Sequence, residues 1–443
     1  MCKVTNAHVR CRPRYGSDHP STTEPTIPTS SLPSPRQELR IPPAALIAIL
    51  GAMAALGPFT MDLYLPAFPA VASELRVSAS AVQVTLTATA VGLGVGGLLV
   101  GPLSDRTGRR VPLILATSLH VAASIGIALA PSIEVIAILR AAQGMGAAAG
   151  GVLASAMVRD LFGGIRLVKF LARIALVSGL APIVAPVIGS QLLRAIDWRG
   201  VFAVLAAYGV VIVIAVVLFI PETSRPREGR KPSIAADLVN LVTDRAFVGA
   251  VALGGMSFTI IVGFLAISPF LFQSHFGLNP QQFGLYFAIQ AIGLLITTQL
   301  AARLMHHFAP GRLAAGAFPV FLLSGVGLVL VDRLDLGVEF AMASCALLVA
   351  TVGFCGPCLQ ILVLHGHPNE AGSAAALAGF ANTTIGSLLS SIPALFGRPD
   401  ALGLGLLVLG SSLIAMIVLW TLIRPWNAER LTPDDLTGPI FIA

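Results

Sequence analysis

Long apolar runs alternate with short polar breaks along this chain. Runs with few or no charges occupy about 43–67, 79–101, 111–131, 133–157, 168–193, 199–220, 246–272, 281–302, 311–331, 338–364, 370–395 and 400–423. A helix rising about 1.5 Å per residue needs roughly twenty apolar residues to cross a hydrocarbon core of about 30 Å. The pattern therefore predicts an all-α membrane protein of twelve transmembrane helices. The one long polar connection, Pro221 to Asp244, divides the runs six and six. Expected segments are a disordered cytoplasmic tail over 1–42, a six-helix bundle over 43–220, a central cytoplasmic loop over 221–245, a second bundle over 246–424 and a cytoplasmic tail over 425–443. The halves also resemble each other weakly. Pro66-Ala-Phe-Pro69 with a span ending at Ser104–Arg110 has a counterpart in Ser268-Pro-Phe-Leu271 with a span ending at Ala302-Arg303 and Gly311-Arg312 following. Two pseudo-symmetric halves of this kind build many secondary transporters, with the substrate site between them near mid-membrane.

Composition strengthens this picture. With 56% hydrophobic and 11% charged residues, the chain is far from a soluble protein, where about a quarter of residues are charged. The net charge of +7 does not point to nucleic acid, because the basic residues sit in the breaks instead of on one domain. Most fall on one side if the N-terminus is cytoplasmic, while Arg76, Arg194, Arg199, Arg333 and Arg398 fall on the other. That asymmetry predicts a multi-pass protein of the cell (inner/plasma) membrane with both termini on the cytoplasmic side. The cysteines give no disulfide framework, and Cys355-Gly-Pro-Cys358 lies within a span, where it reads as a Gly-Pro kink between small side chains. His365-Gly-His367 lacks a third ligand for a metal. No phosphate-binding loop with its lysine, nucleophile elbow or His-Glu-x-x-His string occurs, so neither a cofactor nor an enzyme activity is expected.

Charges inside spans are costly and mark candidate sites. Asp62 near the end of the first span and Arg140 in the fourth fall at similar depth, roughly 9–10 Å below one boundary by helical rise. A carboxylate in a closed cavity binds a proton according to the water and charge that reach it, so Asp62 suits proton coupling or, alternatively, a structural ion pair. Arginine holds its proton and serves to bind a carboxylate or tune a neighbour. Gln143 follows Arg140 by three positions, on the same helix face, within reach of a substrate or of the core. The break Gly101-Pro-Leu-Ser-Asp-Arg-Thr-Gly-Arg-Arg110 reads as a loop pinned at a membrane face. Asp105 there opposes its own helix dipole and needs a partner. Arg109 is one, and the helix start at Pro368-Asn-Glu-Ala-Gly372 is another, which would make a latch between halves. Pro182 and Pro186 among small residues in the fifth span suggest a stiff, closely packed bend.

These strings resemble the major facilitator superfamily, and within it the twelve-span drug:proton antiporters of the Bcr/CflA (bicyclomycin and chloramphenicol resistance) type. Gly101–Arg110 is similar to the superfamily's signature loop, which implies a conformational gate of Gly101, Asp105, Arg106, Gly108, Arg109 and Arg110. Met61-Asp-Leu-Tyr-Leu-Pro-Ala-Phe-Pro69 resembles the first-span motif of that branch. Leu139-Arg-Ala-Ala-Gln-Gly-Met-Gly146 resembles the fourth-span motif whose arginine is linked to proton transfer. Together they imply proton coupling by Asp62 and Arg140 and a substrate cavity edged by Tyr64, Gln143 and Gly144. Asp197-Trp-Arg-Gly-Val-Phe202 and Pro368–Ala374 are similar to further branch patterns. In the fifth span Pro182, Pro186 and Gly189 fit an antiporter motif, while Ala181, Ala185 and Ser190 stand where glycine is usual. The implied function is efflux of a small amphipathic drug in exchange for protons by a monomer in the lipid bilayer. A symporter or facilitator for a natural metabolite is the alternative.

Overall fold

The computed structural model of the chain describes residues 42–223, 234–364, 371–397 and 400–423. Among the described residues every regular element is helical, and twelve helices are long and apolar enough to cross a membrane. Spans 1 to 6 are Ala44–Leu75, Ala79–Thr107, Arg110–Ala128, Ile133–Leu161, Gly164–Leu192 and Trp198–Phe219. Spans 7 to 12 are Arg245–His275, Pro280–Leu304, Pro310–Arg333, Val338–Leu364, Gly372–Leu395 and Ala401–Ile423. The expected tails, His365-Gly-His367 and Pro368–Glu370 lie outside the described residues.

Each half packs by the same plan. Span 1 rests on spans 4 and 5, span 4 on spans 2 and 3, and span 3 on span 6; span 7 rests on 10 and 11, span 10 on 8 and 9, and span 9 on 12. Glycines let backbones touch at these crossings. A methyl added at Gly92 or Gly96 of span 2 would overlap the Ala141 or Met145 carbonyl of span 4 at 2.0 and 2.4 Å. Span 10 runs through Pro357, which removes the amide donor owed to the Gly353 carbonyl. The Thr298 hydroxyl of span 8 supplies that bond at 2.9 Å.

Two expectations need correction. Gly101–Thr107 is not loop but the last two turns of span 2, and only Gly108 and Arg109 separate it from span 3. Pro102 does not end the helix; Gly108, with φ at +87°, does. The central stretch is also not all loop, since Ile234–Thr243 is helical. Its Leu241 is fully buried with Phe247, Ala250, Val363, Ala374 and Ala378, which anchors this linker helix under spans 7, 10 and 11.

The halves meet along two seams, span 2 with span 11 and span 5 with span 8. On the first, the Thr87 and Ser391 hydroxyls lie 2.8 Å apart, and Gly94 is pressed against Thr383 and Thr384. On the second, the Gln281 amide donates to the Ser190 carbonyl at 2.9 Å, and Gly284 fits against Ser190. Toward the end that carries Gly108 the first seam parts. A methyl at Gly97, Gly101, Gly372 or Gly379 would meet no atom within 4 Å. Among the described residues, then, the halves are joined at the end opposite Gly108 and apart along this seam at the Gly108 end.

Candidate functional site

Span 1 breaks where its sequence requires it. Pro66 and Pro69 withhold the amides that would bond the carbonyls of Asp62 and Leu65 in a continuous helix. The first helical segment stops at Asp62, a 3₁₀ turn follows at Leu65–Ala67, and helix resumes at Phe68. Asp62 is left 5% exposed and Tyr64 fully buried at the break.

Arg140 from span 4 enters the same layer and is itself fully buried. Its Nη1 donates to the Thr60 carbonyl and to Gln143 Oε1, both at 2.8 Å. Its guanidinium carbon lies 5.0 Å from the centre of the Tyr64 ring and 5.6 Å from that of Phe202, so aromatic faces cover part of the charge. Nε and Nη2 have no hydrogen-bond partner among the described residues. Gln143 passes the chain on: its amide donates to Ser124 Oγ at 2.8 Å, and the Ser124 hydroxyl donates to the His120 carbonyl at 2.7 Å. Nδ1 of His120 donates back to the Gln143 backbone carbonyl at 3.3 Å. All four side chains are buried. Apart from Nε and Nη2 of Arg140 the chain is bonded from end to end, and each buried bond left unmade would cost about 1–3 kcal/mol.

This geometry amends the expected cavity. Asp62 and Arg140 do share a layer, and the arginine charge acts on the aspartate, but no ion pair within 4 Å joins them. The bonds to Thr60 and Gln143 hold the guanidinium elsewhere. Gln143 spends its side-chain oxygen on Arg140 and one amide N–H on Ser124, so in this conformation its polar end is turned into the buried chain. Gly144 does not edge a cavity: a methyl there would lie 2.1 Å from the Thr89 carbonyl, so its role is the crossing of spans 2 and 4.

Charges gather at the Gly108 end. Arg109 donates to Asp105 at 2.6 Å, to Ser104 at 2.7 Å and to Asp160 of span 4 at 3.1 Å. Asp105 thus finds Arg109, as expected, while its alternative partner segment lies partly outside the described residues. Glu222, just past span 6, accepts the backbone amides of Arg109 and Arg110 at 2.7 and 3.0 Å and so caps span 3. Any side chain at position 108 would strike that carboxylate and strain a positive φ. The Arg110 guanidinium donates to the Val217 carbonyl, whereas Arg106 points to solvent. Spans 2, 3, 4 and 6 are tied together here.

At the opposite end, span 5 is continuous through Pro182 and Pro186. Gly189 brings it onto the Leu63 carbonyl at the span 1 break, where a methyl would sit 2.1 Å away. Pro186 and Ser190 meet Gly284 of span 8. The string Asp197–Phe202 also has a visible local part: Asp197 caps span 6 through the Gly200 amide, and Trp198 and Arg199 both donate to Glu74 at the end of span 1.

The residues that the sequence reading missed are Thr60, Ser124, His120, Asp160 and Glu222. His120 was visible as a titratable side chain inside an apolar run, but a search for Asp, Glu, Lys and Arg passes over it. Glu222 was marked by an acid directly after a proline at a face otherwise rich in arginine.

A duplicated bundle of twelve spans with a charged layer at a broken helix defines a secondary-transporter architecture. The profile of the Major Facilitator Superfamily matches residues 47–391, and the chain belongs to that superfamily. It is 33% identical to an uncharacterized MFS-type transporter of Bacillus subtilis, over 79% of this chain and 88% of that protein. It is 28% identical to a bicyclomycin resistance protein homolog of Haemophilus influenzae over 79% and 88%, and 30% identical to a chloramphenicol resistance protein of Pseudomonas aeruginosa over 71% and 72%. Among solved structures, a D-xylose-proton symporter superposes with a TM-score of 0.70 at 16% identity, covering 88% of this chain and 99% of the other. That likeness is one of fold. The chain is a multi-pass membrane transporter of the superfamily, not an enzyme.

Proposed function

We propose that this transporter exports uncharged, amphipathic, drug-like compounds from the cell in exchange for protons, as a monomer in the inner membrane with the Gly108 end and both termini cytoplasmic. The observation that carries the proposal is the buried layer of Asp62 and Arg140 at the break in span 1. The relatives named for bicyclomycin and chloramphenicol resistance support the cargo class, and the placement of Lys and Arg supports the orientation.

Asp62 is the proton carrier. Arg140, held by Thr60 and Gln143, supplies a fixed positive charge that changes how Asp62 holds its proton as the cavity opens to either side. Substrate and proton act on the same two conformations, so each changes the affinity for the other by the same factor. Tyr64 borders this layer. The Asp105–Arg109–Asp160 cluster and Glu222 brace the N-terminal half at the cytoplasmic face while the halves rock. Gly101 and Gly108 allow close approach there. Pro182, Pro186 and Gly189 keep the outer seam tight in the inward-open state.

The test uses everted vesicles or proteoliposomes with an imposed pH gradient. Chloramphenicol, and failing that bicyclomycin, is expected to dissipate the gradient in the wild type and to have no such effect in Asp62→Asn. Full drug-dependent flux in Asp62→Asn would remove that residue's role. The second reading, a symporter or facilitator for a metabolite, draws on Ala181, Ala185 and Ser190 in the fifth span. A symporter would move protons with the compound, giving the opposite sign of pH change.

A further inference from the structure

The C-terminal half carries a cleft that the motifs do not account for. Spans 7, 10 and 11 enclose a cavity of about 350 Å³, within the size range of small-molecule sites. Its wall is apolar apart from Ser257, Gln360 and Asn382, with Phe258 offering a ring. Among the described residues no Asp, Glu, Lys, Arg or His lines it.

Two amides stand ready there. Gln360 is exposed on span 10, four residues before the helix ends, and makes no hydrogen bond among the described residues. The side-chain oxygen of Asn382 on span 11 is shut off from solvent without a partner. Its amide is wedged against Gly254, where a methyl would come within 2.6 Å of Nδ2. The lack of a side chain at 254 therefore gives Asn382 its position. A buried acceptor without a donor favours a ligand that brings one within reach as the Asn382 side chain turns into the cleft, and a mostly apolar wall disfavours a ligand that brings a full charge. Asn382 also adjoins Thr383 and Thr384, which press on Gly94 of span 2. An occupant of the cleft would touch the helix segment on which the two halves meet.

We infer that this cleft is the recognition site for the polar groups of the cargo, with Asn382 and Gln360 as specificity-determining amides, and that it selects uncharged compounds bearing amide or hydroxyl groups over lipophilic cations. The inference rests on the export reading above and assigns its selectivity to residues outside the Asp62 layer.

The experiment measures equilibrium binding to purified full-length protein with two probes, chloramphenicol and tetraphenylphosphonium, alongside drug-dependent proton flux. The wild type binds chloramphenicol and discriminates against the cation. Gln360→Ala, at an exposed amide, weakens chloramphenicol binding about three-fold, and Asn382→Ala weakens it about ten-fold, the loss expected for one to two hydrogen bonds at a buried group. Gly254→Ala displaces the Asn382 amide and weakens it similarly. Asn382→Asp keeps the shape and moves the preference toward tetraphenylphosphonium, which a merely structural role for this residue would not do. Melting temperatures confirm that each variant is folded. Unchanged binding in Asn382→Ala and Gln360→Ala, or equal wild-type affinity for the cation, overturns the site while leaving proton-coupled export standing. A wild type that shows neither chloramphenicol nor bicyclomycin binding nor flux with either overturns the export reading and this inference with it.

Discussion

The two halves share a packing plan and differ in what they bury. The N-terminal half places Asp62, Arg140 and His120 inside its spans and ties Arg140, Gln143, Ser124 and His120 into one hydrogen-bonded chain. The C-terminal half confines its charged residues to helix ends and buries neutral groups instead, among them Ser257, Thr259, Gln290 and Thr351. Fold symmetry thus does not extend to chemistry. A duplicated scaffold lets one copy carry fixed charge while the other presents a neutral surface, and the proposed exchange of proton for uncharged drug uses one of each.

The largest effect that tests this contrast is expected from Arg140→Leu. It leaves the Thr60 carbonyl, the Gln143 oxygen and Asp62 without their charged neighbour in a dry layer. Breaking a buried charge network of this sort costs about 3–5 kcal/mol. Gradient-linked flux should fall below detection, and the protein should melt at clearly lower temperature. A thiol-reactive dye reads that melting directly, since Cys345, Cys355 and Cys358 are buried free thiols in span 10. Arg140→Lys should restore part of the stability but little flux, because a lysine stem ends one atom short of the Nη1 position that serves both the Thr60 and Gln143 acceptors and brings no planar cation to the Tyr64 and Phe202 rings. Retention of drug-linked flux in Arg140→Leu would mean that the charge of the N-terminal half is structural only.

A smaller effect is expected at the Gly108 end. Gly108→Ala forces a side chain into a positive φ and against Glu222, at about 1–3 kcal/mol. Gly101→Ala, only two turns away, should leave the stability of this conformation unchanged or slightly raised, since a methyl there meets nothing. It should instead reduce transport if the seam of spans 2 and 11 must close over that glycine in the other state. Melting curves and flux of the two variants separate a local turn requirement from a gate. Equal loss of stability in both would show that the seam is already closed in solution.

How far the chain could be read in advance follows from the same physics. Span number and order were legible because a hydrocarbon core demands long uncharged runs, and only the ends were misjudged. Polar residues and Pro102 suggest a stop at Gly101–Thr107, yet a helix leaving the membrane keeps its backbone bonds in water too. Asp62 and Arg140 were visible as rare charges. Their partners were not, because Thr60, Ser124 and His120 are ordinary residues until the break in span 1 and the crossing of spans 3 and 4 bring them together. Gly144 shows the converse. The resemblance of Leu139–Gly146 to the fourth-span motif implies a cavity there, but a glycine's part is set by the backbone opposite it. The Asn382 cleft has no sequence signal, since each amide occurs singly on its span and the third wall comes from span 7, about a hundred residues earlier in the chain.

The smallest effect expected is that of Glu222→Gln. Two backbone amides at the start of span 3 converge on this carboxylate, where the helix dipole favours negative charge. Glutamine keeps one acceptor oxygen and loses the charge, so a cost of about 1 kcal/mol or less is expected, as for a weakened cap. Stability should drop by a degree or two while binding of chloramphenicol at the C-terminal cleft stays unchanged. Transport rate is the informative reading. If Glu222 only caps a helix, rate and stability fall together and Glu222→Asp restores both. If instead it helps hold spans 2, 3, 4 and 6 as one rigid half, the rate falls well beyond the stability loss. The combination with Asp160→Asn is then more than additive, as neighbours in one network are. The C-terminal counterpart provides the control: the corresponding break at Arg303 and Gly311-Arg312 has no acidic residue between its two spans. A change there, such as His307→Gln, is expected to leave the rate as it is.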